Sequence, residues 1–290
     1  MTSQFERLRR MIWEGLGNLT RYCGGKHRQR QRGAANGSRR SFLRTAPGLL
    51  GLGCAVAPTF VGAQETPPEE KRTSSQRWEE LSASDLVKAL EQTSLVYVPI
   101  GTLEFHGAHL PLGTDAIHSY ELCLAAAKRT GGVVLPATHW SPHGHEGWAG
   151  SLLVREETFR ALLTDVFTLL CEQGVKFIVA CTGHYPAKQE PAIRKIADEV
   201  VQRFPETRFL VLGPWCHPTD PSADHGGKKE TALMLSLRPA LVHMERLSGP
   251  EAMRGISASA VDGTAQFGKD YFSAEVDNFV NKVNEARQPT

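Results

Sequence analysis

The stretch LVYVPIGTLEFHGAHLPLGTD, residues 95–115, decides the fold because it joins a strand to a group of ionisable side chains. Its apolar run Leu95–Ile100 holds no charged residue, which predicts a strand covered on both faces of a sheet. The twelve residues from position 104 then hold two carboxylates and two imidazoles, Glu104, His106, His109 and Asp115. Side chains of this kind at the carboxyl end of a buried strand predict a metal site.

Apolar runs and helical patterns alternate along the rest of the chain. Further strands are predicted at Val133–Pro136, Phe177–Cys181 and Arg208–Gly213. Helices are predicted at Ser84–Leu90, with Ser82 or Ser84 as the N-cap, and at Ala116–Arg129, Glu156–Glu172, Ala187–Arg203 and Lys229–Leu237. This alternation predicts an α/β fold in which helices cover a mostly parallel sheet.

The first 63 residues have the order of an export signal. The run SRRSFLR, residues 38–44, matches the twin-arginine pattern, and it is followed by an apolar stretch from Ala46 to Val61 and a small-x-small cleavage site ending at Ala63. Two other interpretations stay open, a lipid anchor at Cys54 and a membrane anchor, although the stretch is shorter than the ~20 residues of a spanning helix. We expect export by the twin-arginine route to the periplasm or another extracytoplasmic space, with no stable membrane span after signal removal.

The charge of the chain is divided unevenly between this leader and the remainder. Residues 1–63 hold eleven basic and two acidic residues, a net charge of +9, which leaves −7 for residues 64–290 because the whole chain carries +2. The basic charge therefore belongs to the leader, and we do not expect the mature protein to bind nucleic acid. Residues 64–76, which are polar and hold two prolines, are assigned as a linker, and residues 77–290 as the domain that carries the site.

Carboxylates and imidazoles recur at the predicted strand ends, where an α/β fold places its chemistry. Glu104 and His106 are two residues apart, so in extended backbone both point to the same side and can bind Zn²⁺, Mn²⁺ or Fe²⁺. Asp115 has two oxygens and can bridge two ions. His184 follows a predicted strand directly, and Gly183 lets the backbone turn so that the imidazole faces the site. Each residue alone is more often structural, and only their combination favours a metal site.

Several motifs then resemble the signatures of one family. Residues 99–115, PIGTLEFHGAHLPLGTD, are similar to the pattern P-x-G-(S/A)-x-E-x-H-G-x-H-L-P-x-x-T/V-D of the creatininase (creatinine amidohydrolase) family. TGHY, residues 182–185, resembles its N-G-H-(Y/G) turn, and DHGGKKETA, residues 224–232, resembles its (E/D)-H-(A/G)-G-x-x-E-T-S segment. Residues 145–152 resemble a loosened form of its H-F-P-G-T-x-S-L segment. The resemblance covers roughly residues 78–245, which is most of the mature chain.

The resemblance implies a three-layer α/β sandwich that holds one or two divalent ions and hydrolyses C–N bonds in cyclic amides or formamides. By motif position, Glu104 and His184 would bind one ion, His106 the other, and Asp115 would bridge them. His225 matches a histidine assigned to proton transfer, with Asp224 as the candidate that orients it. The candidate substrate contacts are Tyr185, Ser151 and Trp148. The family also implies a homo-oligomer, with the hexamer as a common form.

The sequence departs from the family at the second metal site. Pro186 stands where creatininase has a glutamate that completes this site, and a prolyl side chain has no ligand atom. Glu230, His143 or water are the open candidates for the missing ligand. This change, and Lys228 at a position where many members have glutamate, argue against creatinine itself as the substrate.

The resulting hypothesis is a metal-dependent amidohydrolase acting on a small-molecule amide. Water activated by the metal would attack the amide carbonyl, and His225 would deliver a proton to the leaving nitrogen, which leaves poorly unless protonated. The alternative is a non-catalytic ligand-binding protein on the same fold. A nucleotide-binding oxidoreductase or phosphate-binding protein has no support, because the sequence lacks GxGxxG after a strand and lacks GxxxxGK[ST].

Overall fold

The structure is a computed structural model and describes residues 76–184, 188–213 and 224–288. Its sheet has the strands β1 (Leu95–Ile100), β2 (Val133–Val134), β3 (Phe177–Thr182) and β4 (Arg208–Leu212) in the order β2-β1-β3-β4. Each of the three pairings is parallel, with Val96 opposite both Val133 and Ile178. The predicted α/β class and parallel sheet are confirmed. The export signal and nearly all of the linker fall outside the described residues.

Six α-helices surround this sheet in the described part of the chain. They are α1 (Ala83–Thr93), α2 (Thr114–Thr130), α3 (Glu156–Glu172), α4 (Gln189–Val201), α5 (Lys228–Leu237) and α6 (Ala265–Arg287). Short 3₁₀ helices lie at Trp78–Glu80, Pro239–Leu241, Met244–Arg246, Pro250–Met253 and Ala258–Asp262. Ser82 is the N-cap of α1, since its hydroxyl accepts a hydrogen bond from the Asp85 N–H. No helix among the described residues is both long and apolar enough to cross a membrane.

Two hydrophobic cores, one on each face of the sheet, make the fold a three-layer sandwich. Successive side chains of a strand point to opposite faces, so Val96 and Val98 pack against α3 and α4, whereas Leu95 and Tyr97 pack against α2 and α6. Phe167 at the centre of the first core is fully buried. All six residues of β1 and of β3 are buried, as their unbroken apolar sequences predict.

Most predicted elements are present with ends that differ by a few residues, but one strand is shorter than predicted and one helix was not predicted. The strand predicted at Val133–Pro136 ends at Val134, close to Pro136, which has no N–H for a ladder hydrogen bond. Helix α6, which follows the helix predicted at Lys229–Leu237, has no counterpart among the predicted helices. The buried residues Val276, Phe279, Val280 and Val283 of α6 have helical spacing, and they belong to the second core together with α2.

The strand order places a crevice at the ends of β1 and β3. From β1 the chain runs through α2 to β2 on one side, and from β3 it runs through α4 to β4 on the other. Because the two connections diverge, the loops after β1 and β3 separate and leave room between them. This topological switch point is where open parallel sheets bind their ligands.

A buried ion pair ties α6 to the helix that begins at this crevice. His118 Nε2 of α2 lies 2.7 Å from Glu275 Oε2 of α6, and both side chains are almost fully buried. Burial lowers the pKa of the His118 imidazole, but the Glu275 carboxylate outweighs it and the pKa is raised overall. Since His118 lies one turn after Asp115, this pair helps to fix the start of α2.

Candidate metal centre

Asp115 reaches the crevice because two glycines let α2 approach the strand ends. A Cβ on Gly101, directly after β1, would lie 2.3 Å from the backbone nitrogen of Ala116. A Cβ on Gly183, directly after β3, would lie 2.0 Å from the carbonyl oxygen of Asp115. Neither glycine has a positive φ. The requirement at Gly183 is therefore space for the backbone of α2, and not the tight turn that the sequence suggested.

The two oxygens of the Asp115 carboxylate face two different sets of ligand atoms. Oδ1 lies 3.0 Å from His106 Nε2, which in turn lies 3.5 Å from Glu230 Oε2. Oδ2 lies 2.9 Å from His184 Nδ1, which also lies 2.9 Å from Glu104 Oε2. We call these the His106 set and the Glu104 set. Asp115 is their shared member, as a bridging ligand would be.

Most of these ligand atoms are buried without a hydrogen bond of good geometry to any described residue. They are Glu104 Oε2, His106 Nε2 and both oxygens of Asp115. His106 uses its other ring nitrogen, Nδ1, to donate to the carbonyl oxygen of Glu104 at 3.0 Å, so its Nε2 lone pair faces the carboxylates. Lone pairs that converge in a buried space repel one another unless a proton or a metal cation lies between them. Nitrogen and carboxylate donors fit Zn²⁺, Mn²⁺ or Fe²⁺.

The pKa values in the cluster depend on burial and on the opposite charges of the neighbouring imidazoles and carboxylates. Burial raises the pKa of the Asp115 carboxyl, but the imidazoles of His106 and His184 outweigh burial and hold the pKa well below its usual range. Burial lowers the pKa of His106, but Asp115 and Glu230 raise it to about 10. Burial raises the pKa of Glu230 to about 7. Without metal, protons occupy the positions between carboxylates and imidazoles, and metal binding would displace them.

His225 lies beside the cluster, but the prediction that Asp224 orients it is wrong. Its Nε2–H donates to the carbonyl oxygen of Phe105 at 2.8 Å, and its ring lies 4.4 Å from the His106 ring. Asp224, expected to orient it, instead accepts hydrogen bonds from the N–H of Lys229 at 2.7 Å and the hydroxyl of Ser259 at 3.1 Å. Asp224 therefore stabilises the start of α5, where unpaired N–H groups favour a carboxylate. Burial and the nearby His106 lower the pKa of His225 to about 4.

The candidate substrate contacts fall in three different situations. Trp148 stacks on Phe105 with ring centroids 4.6 Å apart, so its indole lies beside the loop that carries Glu104 and His106. Ser151 accepts a hydrogen bond from the Phe105 N–H at 3.0 Å, which gives its hydroxyl a structural partner in this loop. Tyr185 lies outside the described residues, as does Pro186.

Three further histidines each have a different partner in the structure. His143, a candidate for the second metal site, instead pairs with Glu156, with 3.0 Å between Nε2 and Oε1. His109 lies 2.9 Å from the Thr231 hydroxyl through Nε2 and links the loop after β1 to α5. His145 contacts Glu104 directly, at 2.7 Å from Nδ1 to Oε1. His145 was not among the candidate ligands, although it occupies the histidine position of the motif that resembles H-F-P-G-T-x-S-L.

Comparison with known proteins gives a consistent picture. The family model described as Creatininase, creatinine amidohydrolase, matches residues 79–282. The chain is 26% identical over 179 residues to a creatinine amidohydrolase of Pseudomonas putida, covering 53% of this chain and 68% of that protein. It is 27% identical over 222 residues to a mycofactocin precursor peptide peptidase of Mycobacterium tuberculosis H37Rv, covering 65% of this chain and 84% of that protein.

The solved structures support the same fold. A crystal structure of creatininase superposes with a TM-score of 0.67 at 21% identity, covering 74% of this chain and 99% of that chain. Creatininase structures at a TM-score of 0.65 and 20% identity include a Zn–Zn form and an Mn form. The ligand chemistry described above agrees with these metals.

Proposed function

Because the chain belongs to the creatininase family, we propose that it is a metal-dependent amidohydrolase that cleaves a C–N bond in a cyclic amide or formamide. The observation that carries this proposal is the division of the two Asp115 oxygens between the His106 set and the Glu104 set. Three carboxylates and two imidazoles converge there in a buried space, where divalent cations would neutralise the carboxylates. The relatives named above, an amidohydrolase and a peptidase, support hydrolysis of C–N bonds.

We assign Glu104, Asp115 and His184 to one ion, and His106, Asp115 and Glu230 to the other. Glu230 is the substitute for the glutamate replaced by Pro186, since its Oε2 lies 3.5 Å from His106 Nε2. Divalent ions bound there would lower the pKa of a coordinated water and polarise the amide carbonyl. Zn²⁺, Mn²⁺ and Fe²⁺ all suit this donor set.

His225 is the group that we assign to proton transfer. Its Nε2–H is held by the Phe105 carbonyl, so Nδ1 carries the lone pair and accepts a proton first. The protonated ring can then deliver that proton to the leaving nitrogen, which amide cleavage requires. Trp148, which contacts the rings of Phe105 and His145, provides an apolar surface for a small amide. Creatinine itself is not the expected substrate, because the segments at Pro186 and Trp148 differ from those of creatininase.

The first prediction is that hydrolysis depends on metal. Purified protein treated with a chelator should lose hydrolysis of lactams and N-formyl compounds, and stoichiometric Zn²⁺, Mn²⁺ or Fe²⁺ should restore it, because the ligand sets supply no comparable electrophile without ions.

A His225→Gln variant should retain the metal but lose about 10²-fold or more in kcat, the usual contribution of acid–base catalysis. His243→Ala, which removes a half-exposed imidazole beside Glu245, is the matched control and should leave activity unchanged.

Fully metal-loaded protein that hydrolyses nothing in such a panel, with short peptides included, would favour the non-catalytic binding protein.

We further propose export by the twin-arginine route and assembly as a homo-oligomer. The support for export is the motif at residues 38–44 and the apolar stretch behind it. The support for assembly is the family resemblance.

A further inference from the structure

His145 makes an unusual double contact with Glu104. Its backbone N–H donates to Glu104 Oε1 at 2.8 Å, and its ring Nδ1 lies 2.7 Å from the same oxygen. The other oxygen, Oε2, has no hydrogen-bond partner of good geometry among the described residues and lies 2.9 Å from His184 Nδ1. The two oxygens of Glu104 are therefore divided, one held by the protein and one turned to the ligand cluster.

The loop that carries His145 is shaped for this contact. Gly144 has a φ of +154°, a conformation that favours glycine, and a Cβ there would also lie 3.3 Å from the carboxyl carbon of Glu104, so glycine favours the approach of the His145 backbone N–H. The His145 ring stacks on His225 with centroids 4.1 Å apart and an interplanar angle of 18°. It also meets the Trp148 ring edge-on at 6.0 Å. Packing on two sides leaves the imidazole little freedom to rotate away from Glu104.

We propose that His145 is a positioning residue that fixes Glu104 for metal binding and holds the plane of the His225 ring. A carboxylate that is free to rotate must be ordered each time an ion binds, whereas one held through Oε1 presents Oε2 at no further cost in entropy. Outer partners of this kind commonly change metal affinity by about 10–100-fold. The inference rests on the proposed metal centre, but it concerns metal affinity and not the reaction.

The experiment tests how much the ring N–H of His145 contributes to metal affinity, apart from the rest of its side chain. The full chain and its variants are titrated with Zn²⁺ or Mn²⁺ against a chromophoric chelator, which measures the Kd of each ion without substrate. His145→Ala should raise the Kd of one of the two ions by about tenfold. This is the lower end of the range, because the backbone N–H remains. His145→Asn places an amide N–H near the Nδ1 position and should restore affinity to within about threefold, a small loss for one exchanged hydrogen bond.

The controls keep the outcomes distinct. His145→Gln, of similar size to histidine, carries its amide nitrogen one bond further out and should resemble His145→Ala. His143→Ala removes a neighbouring histidine that faces Glu156, and both ions should then bind as in the wild type. The inference is overturned if His145→Ala binds both ions normally, or if the Asn and Gln variants are equally weak. Wild-type protein that binds no ion would instead contradict the proposed function. If His145→Ala fails to fold, the Asn and Gln pair decides.

Discussion

Asp115→Ala is expected to abolish metal binding at both ligand sets and to reduce kcat/KM by at least about a thousandfold. The loss is large because Asp115 is the shared ligand, with Oδ1 facing His106 and Oδ2 facing His184. Bound ions supply several kcal/mol of charge stabilisation in the transition state, and each ~1.4 kcal/mol corresponds to a tenfold change in rate. Elemental analysis after gel filtration, together with a hydrolysis assay, measures both effects.

The matched control for this variant is Glu156→Gln. Glu156 is also a carboxylate beside a histidine, but it is exposed and its partner is His143. Its replacement should leave metal content and activity unchanged, because a surface pair of this kind contributes little. An Asp115→Ala protein that keeps two ions per chain and full activity would exclude a bridging role for Asp115.

Gly183→Ala is the second change with a large expected effect. The added Cβ would lie 2.0 Å from the carbonyl oxygen of Asp115, so either β3 or α2 must shift. We expect the free energy of unfolding to fall by about 3 kcal/mol, at the upper end of the range for overpacking. Because His184 and Asp115 move apart, we also expect weaker metal binding and a loss of about 10²-fold in activity, the scale of a 1 Å misplacement.

Urea unfolding and metal titration of the Gly183→Ala protein measure these effects, and Gly113→Ala is the control. A Cβ on Gly113 would meet only the His139 ring, at an ordinary distance of 3.6 Å. Gly113 also precedes α2 with a negative φ, so alanine can adopt its conformation. Its unfolding free energy should change by no more than about 1 kcal/mol. Equal stability of the Gly183→Ala and wild-type proteins would show that the close approach to Asp115 is not needed.

The sequence was most informative about the sheet and the strand ends. Buried parallel strands such as β1 and β3 are unbroken apolar runs, and this pattern is visible without any knowledge of tertiary contacts. The ligands of the first motif follow from the same logic, because Glu104 and His106 come directly after β1. The alternation of strands and helices does not predict α6, although its apolar residues have helical spacing, because no strand lies between α5 and α6.

Contacts between distant segments could not be derived from local patterns. The choice between Glu230 and His143 depends on where α5 meets the loop after β1, and only the folded chain brings Glu230 near His106. The error at Asp224 has a similar origin. A carboxylate next to His225 in sequence suggested an orienting role, but the start of α5 provides unpaired N–H groups that compete for it. His145 could have been found from its place in the loop after β2 and in a family motif.

An anomalous-scattering map of crystals grown with Mn²⁺ or Zn²⁺ tests the central claim most directly. The account predicts two peaks, one on each side of the Asp115 carboxylate and roughly 3.5–4 Å apart. One peak should have Glu104 and His184 as ligands, and the other should have His106 and Glu230. A single peak, or a second peak without Glu230 as a ligand, would contradict the proposed two-ion centre.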